Sequence, residues 1–422
     1  MKIAIRGLVW VLALVLVAPV ARTEDEFSME DGILKQDRSP YTLRGIATPD
    51  MIYDGMSIVD QESRMNQVAR VGGTTVCFDL VGFGDGGKTL SGAKLKLLDE
   101  IVALMNYRGM TAIVRVLGPD APTDRAGRRT AAVTAAKALR GREKCVYVID
   151  GDNASDLIRR FKRNAPRLVV LGSEGKPHVK VVFEPTMTAK GPVLLYGAVP
   201  ETGHCLMPAE DSSYEAFETV STHPKELDPW TPDNSVLTEQ ERAEGFIALF
   251  NGRDLDGWII AGDQECWRVK DGTICWVRQG GKLLRTVKRY SDFILRFEYN
   301  MPEGGNSGIH IRAPRAARNS KIGFEFQMMG DYGEAPNKTG TGSIYDAFPP
   351  MVNAVKPNGE WNFVEIYLKG AEYKATLNGQ VVQDTSFDSD DNLKPRLRDG
   401  FIGLTDHSHP VFFRNIRIKP LN

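Results

Sequence analysis

From Gly245 to the end of the chain, apolar and polar residues alternate with a period of two in one segment after another, and no helical spacing interrupts them. Phe293–Tyr299, Trp361–Leu368, Tyr373–Leu377, Phe401–Leu404 and Phe412–Ile418 are the clearest of these segments. Glycines punctuate them, and Asn378-Gly379 stands between two strand runs, which is the strongest short-range hairpin signal. Many short strands without helices can bury their apolar sides only by packing sheet on sheet, so residues 245–422 are expected to form an all-β sandwich or jelly roll.

Two segments of this region carry more than a fold. In Gly304-Gly-Asn-Ser-Gly-Ile-His-Ile-Arg312, Ile309 and Ile311 point one way while His310 and Arg312 point the other. In Gly323-Phe-Glu-Phe-Gln-Met328, Phe324, Phe326 and Met328 take the apolar side and leave Glu325 and Gln327 opposite. Paired as neighbours, the two segments would gather an imidazole, a guanidinium, a carboxylate and an amide on one face. An ordinary solvated face favours Lys, Glu and Thr, so this set points to a ligand site, with a plain outer sheet face as the alternative.

The first half of the chain reads differently. Leu43–Ala47, Thr74–Leu80, Thr111–Val116, Val146–Ile149, Leu168–Leu171, Val179–Phe183 and Val193–Tyr196 are short apolar runs, and helical patterns separate the first of them. That rhythm predicts an α/β domain over 41–200 with a parallel sheet. The rhythm resembles the first half of a (β/α)8 glycoside-hydrolase barrel, although about 180 residues is short of the usual ~250 and the helices fade after the fourth strand. A partial barrel and a doubly wound sheet are the two expectations. Asp79, Asp150, Glu174 and Glu184 fall near strand ends, where a carboxylate pair could act on a glycosidic bond.

The segment 201–244 loses the strand rhythm, gathers Pro208, Pro224, Pro229 and Pro232, and is expected to be a linker ending in a short polar helix. Residues 1–23 read as a secretory signal. Lys2 and Arg6 precede an apolar run from Leu8 to Ala18 that is short for a membrane span, and small residues follow. The expectation is a secreted or periplasmic protein without stable membrane insertion. Charge is balanced, 53 basic residues against 54 acidic, which removes a chain-wide field as a reason to bind nucleic acid. Five scattered cysteines do not make a disulfide scaffold, though Cys266 and Cys275 flank a hairpin in which a bridge is open.

With these segments in view, residues 245–422 resemble the 3-keto-disaccharide hydrolase domain family, a jelly roll related to concanavalin-like lectins and glucanases. The resemblance is carried by Phe246–Trp258, Trp267–Gly272, Asn306-Ser-Gly-Ile309, Phe324-Glu-Phe-Gln327, Gly342-Ser-Ile-Tyr345, Gly359-Glu-Trp-Asn362, Leu377-Asn-Gly379, Asp406-His407 and Phe413-Arg-Asn-Ile416. It implies cleavage of a glycoside oxidised at C3, where the ketone acidifies the C2 proton. A base removes that proton, the C1 substituent leaves, and water adds. On the residues of this chain, the resemblance implies Glu325 or His407 as base and Arg312 as the cation that stabilises the enolate. Asn306, His310, Gln327 and Asp346 would hydrogen-bond the sugar, and Tyr345 or Trp361 would stack on it. It leaves a divalent metal ion open, with His310, Glu325, Asp406 and His407 as candidate ligands. The implied partner is an oligosaccharide or glycoside substrate. Two other readings stay open, a non-catalytic carbohydrate-binding module and a glycosidase in residues 41–200.

Overall fold

In this computed structural model the described residues are 43–47, 57–172 and 222–421 apart from 262, 278–282, 406 and 408. Backbone strands within 27–40 and within 179–208, and a few residues at 214–221, are described as well. The expected signal at 1–23 and the acids Glu174, Glu184 and Asp406 lie outside them.

The α/β half is a barrel. Arg44–Ala47, Thr75–Asp79, Thr111–Arg115, Val146–Ile149, Val170–Gly172, Val179–Phe183, Val193–Tyr196 and His204–Pro208 run parallel in sequence order, and the last pairs with the first, Cys205 opposite Arg44. Of the two expectations, the barrel is therefore the one the structure adopts, and it is closed rather than partial. Among the described residues, long helices follow the first four strands: Ile58–Arg70, Gly92–Tyr107, Arg125–Leu139 and Ala154–Asn164. Each of the first three begins at a side-chain cap, from Ser57, Ser91 and Asp124. The sequence lost the barrel where helices no longer separated the strands, and the eighth strand lies beyond residue 200, at a proline-containing run that reads as linker.

The second half is a sandwich of antiparallel sheets, as the period-two pattern requires. One sheet has eight strands, with Phe412–Pro420, Phe293–Asn300 and Asn362–Lys369 at its centre. The other has five, in the order Trp258–Ala261, Leu283–Tyr290, Gly400–Thr405, Asn306–Ala313 and Phe324–Met329. Between them lies an aromatic core in which Phe297 meets Phe326 edge-on at 6.4 Å and Phe324 stacks on Phe387 at 3.7 Å. Trp258 and Trp267 are buried in it. Asn378 and Gly379 both take positive φ, 52° and 82°, and turn the predicted hairpin between Leu377 and Gln380.

Cys266 and Cys275 are not bridged to each other. The hairpin register sets Arg268 opposite Cys275 and Trp267 opposite Trp276, so the two thiols are not cross-strand partners. Among the described residues no helix is long and apolar enough to cross a membrane.

Barrel and sandwich are joined by more than a chain connection. The ends of the first two barrel helices press against the segments 315–323 and 395–399 of the sandwich. Arg70 grips the Asp399 carboxylate with two nitrogens at 3.0 and 2.9 Å, and Asn66 donates to the Pro395 carbonyl at 2.8 Å. Ile322 and Leu397 are buried in the barrel's own hydrophobic cluster.

Candidate active site

The strands Asn306–Ala313 and Phe324–Met329 pair antiparallel with His310 opposite Glu325 and Gly308 opposite Gln327. Alternation then sends Ile309, Ile311, Phe324, Phe326 and Met328 into the core and leaves His310, Glu325 and Gln327 on the outer face. That face does not meet open solvent. Ala317, Arg318, Asn319 and Ser320 rise over it on one side and Tyr345 on another, which encloses a cleft of about 390 Å³. Asn306, Thr405 and His407 complete its lining. The glycine at 308 is a geometric requirement, because a Cβ there would sit 2.1 Å from Glu325 Oε1.

The polar groups of the cleft are buried and incompletely partnered. Glu325 is 4% exposed, and its Oε1 has no hydrogen-bond partner among the described residues. Burial pushes its carboxyl up to about 8, partly opposed by the positive charges of Lys321 and Arg318. His310 Nδ1 lies 4.0 Å from Glu325 Oε2 and is likewise unpartnered, while its Nε2 is bonded to the Thr405 hydroxyl. Burial, helped by the nearby His407, lowers His310 to about 3, so its ring is neutral at physiological pH. Gln327 donates to the Asn306 side-chain oxygen at 3.1 Å, and its own Oε1 is without a partner. Unsatisfied acceptors and donors of this kind are costly in a closed core, and they are what a bound polyol would satisfy.

Arg312 is the clear correction. It is not in the cleft. The pairing of its strand with Gly400–Thr405 shifts register between His310 and Ala313, and Arg312 takes φ 51°. This irregularity breaks the alternation that would have placed it beside His310. Its guanidinium is buried and spent on the Ser291 carbonyl at 2.9 Å, the Gly370 carbonyl at 2.9 Å and the Asp292 carboxylate at 3.0 Å. Trp361 is also absent from the cleft lining; its ring lies under the Arg414 guanidinium, 3.9 Å away, beside the eight-stranded sheet. Asp346 does not line the cleft; it is bound by Lys321 Nζ at 2.5 Å and by the Tyr107 hydroxyl at 3.1 Å.

The structure brings together Asn306, His310, Glu325, Gln327, Tyr345 and His407, and adds Arg318, Asn319, Ser320 and Thr405. The signal for the added wall is visible in retrospect as the basic and polar run Arg315-Ala-Ala-Arg-Asn-Ser-Lys321 between the two motif strands. Among the described residues no group of three or more His, Cys, Asp or Glu is placed to hold a metal ion. Of the candidate ligands, His310, Glu325 and His407 line the cleft and Asp406 lies outside the described residues, and no step below is routed through a metal.

The barrel's acids behave otherwise. Arg115 sits between Asp79 at 3.3 Å and Asp150 at 3.8 Å, so one guanidinium neutralises both carboxylates at the carboxyl ends of the strands.

Residues 245–419 match the 3-keto-alpha-glucoside-1,2-lyase-like domain family. A 3-keto-disaccharide hydrolase of Bacteroides thetaiotaomicron is 27% identical over 235 residues, covering 43% of this chain and 80% of that protein. Among solved structures, a candidate glycosyl hydrolase of Parabacteroides distasonis is 29% identical, with a TM-score of 0.40, covering 44% of this chain and 99% of that one. A carbohydrate-binding module of Bacillus subtilis is 14% identical with a TM-score of 0.28, over 38% of this chain and 94% of that one.

Proposed function

We propose that the sandwich, a domain of the 3-keto-alpha-glucoside-1,2-lyase-like family over residues 245–419, cleaves 3-keto-glycosides in the cleft between Glu325 and Arg318. The observation that carries the reading is Glu325 itself. It is a buried carboxyl facing a glycine, with one oxygen unpartnered, a neutral imidazole 4.0 Å away and a cleft wide enough for a sugar ring above it. A carboxyl near about 8 is a far stronger base once ionised than a solvated one, which suits it to a carbon acid.

In the proposed sequence Glu325 takes the C2 proton of a 3-keto sugar, and the C–H electron pair becomes the enolate shared by C2, C3 and the C3 oxygen. That pair then forms the C1–C2 double bond as the C1–O bond breaks, and the aglycone oxygen leaves with a proton. Water adds across the double bond, hydroxyl to C1 and proton to C2, so the net reaction is hydrolysis. Arg318, whose side chain reaches the cleft wall, takes the enolate-stabilising role that Arg312 cannot fill. His407, which lines the cleft, returns a proton to the leaving oxygen. Asn306, Gln327 and the neutral His310 hold sugar hydroxyls, and Tyr345 offers a ring face. The signal-like residues 1–23 support action outside the cytoplasm.

The test is incubation with a 3-keto-disaccharide and with its unoxidised parent, with and without chelator. Cleavage of the keto sugar alone is the expected outcome. Binding of both sugars without cleavage of either would make the domain a carbohydrate-binding module.

A further inference from the structure

The cleft wall does not stand by itself, and what holds it belongs to the other domain. The wall is the segment between the two motif strands, and its backbone is tied to the ends of two barrel helices. Arg318 N–H donates to the Arg108 carbonyl at 2.9 Å, and Ala316 N–H to the Ala69 carbonyl at 3.2 Å. From behind, Arg396 donates to the Ser320 carbonyl at 2.9 Å, and Leu397 N–H to the Ile322 carbonyl at 3.0 Å. Gly109 of the barrel lies against Arg318 and turns the chain there with φ 65°, a conformation that favours glycine.

The next residue of the wall shows the same dependence through its side chain. Lys321 is 1% exposed, an unusual burial for an ammonium group. Its Nζ bonds Asp346, and it lies 4.4 Å from the centre of the Tyr107 ring and 5.1 Å from that of Tyr345. Tyr107 closes the circuit by donating its hydroxyl to the same Asp346 carboxylate. A barrel tyrosine thus packs against a buried lysine whose charge faces the Glu325 carboxyl, and shares with it the carboxylate next to the cleft's Tyr345.

We propose that the barrel is a positioning platform for the cleft, with Tyr107 as a positioning residue that sets Lys321 and Asp346, and through them the wall that carries Arg318. This rests on the reading of the cleft as the hydrolytic site, and it gives the barrel a part in that site without requiring chemistry of its own. A wall fixed by a second domain keeps Arg318 at a constant distance from Glu325, which a free surface loop between two strands would not.

The experiment uses the full chain carrying Tyr107→Phe, which keeps the ring over Lys321 and removes only the hydroxyl, and Tyr107→Ala, which removes both. Amide hydrogen exchange of residues 314–323 is measured beside kcat and KM on a 3-keto-disaccharide. Tyr107→Phe is expected to lower kcat/KM by about tenfold, the scale of one hydrogen bond to a charged group. Tyr107→Ala is expected to lower it further, and exchange in 314–323 should quicken in the same order. Wild-type exchange and kinetics in both variants would overturn the proposal, and so would a loss of activity with the wall's exchange unchanged. If wild type cleaves no keto sugar, the hydrolytic reading fails separately, and exchange alone decides whether Tyr107 fixes the wall.

Discussion

The interface between barrel and sandwich and the cleft beside it are built from the same kinds of side chain, used in opposite ways. Glu62, in the interface, is 5% exposed, and Glu325, in the cleft, is 4% exposed. Both carboxyls are pushed upward by burial. Glu62 meets the Arg108 guanidinium at 3.0 Å, which draws it back toward its ordinary range. Glu325 has no such ion pair with Lys or Arg; the more distant fields of Lys321 and Arg318 and a hydrogen bond with the Ser320 side chain oppose the effect of burial. Arg312 and His310 make the same contrast two residues apart on one strand: the arginine is saturated by carbonyls and a carboxylate, the histidine keeps a bare Nδ1. Buried polar groups that are matched hold the molecule together. Those left unpartnered beside an open cleft, as Glu325 Oε1 and Gln327 Oε1 are, leave room for a ligand, which the packed interface around the equally unpartnered Glu62 Oε2 does not.

The largest effect is expected where the contrast is sharpest. Glu325→Gln should cut the rate on a 3-keto-disaccharide by ~10²–10⁴-fold, the range of a lost general base. The same substitution should not weaken the fold. Because the folded carboxyl titrates near about 8 against an ordinary 4.5, the unfolded chain binds fewer protons between those values, and stability falls as pH rises through that window. Glu325→Gln removes that loss, so its thermal midpoint at pH 8 should equal or exceed the wild type's.

Arg108→Leu is the opposite experiment. It strands Glu62 without its cation, and denaturant unfolding should show a loss of ~3–5 kcal/mol. An unchanged midpoint would mean that this pair does not brace the barrel helix ends on which the sandwich rests.

A smaller effect is expected from pH alone. A base with a carboxyl near about 8 gains activity as it ionises, so kcat/KM should climb about tenfold per pH unit below 8 and level above it. A profile that falls through the same range would assign the Glu325 proton to the leaving group instead. The least effect belongs to the barrel's matched acids. Asp79→Asn, which only loosens the Arg115 contact far from the cleft wall, should leave cleavage of the keto sugar within about twofold of wild type.

Much of this was legible in the sequence because it is local. Ile309 and Ile311 against His310, and Phe324 and Phe326 against Glu325 and Gln327, are set by pleating alone, and the structure keeps them. Asn378-Gly379 names its own turn. Arg312 was misplaced because its orientation depends on a register shift against Gly400–Thr405, about ninety residues away in the chain and invisible to a period-two count. Arg318 and Tyr107 were missed for a related reason: one lies in a loop and the other at a helix end of a different domain, and only tertiary contacts bring them to the cleft. Barrel closure is hard to read because the helical patterns between strands fade in the sequence after the fourth strand while the apolar strand runs continue.

The most direct test follows hydrogen at C2. A 3-keto-disaccharide carrying deuterium there is cleaved by the full chain in ordinary water, and the released 3-keto sugar is weighed by mass spectrometry. Removal of the C2 proton by Glu325 predicts a product that has lost the deuterium to solvent, together with a primary isotope effect if that step limits the rate. A product that keeps its C2 deuterium, formed with no isotope effect on the rate and with no deuterium returned to C2 when hydration is run in heavy water on the protio substrate, would contradict deprotonation and leave Glu325 without the role assigned to it.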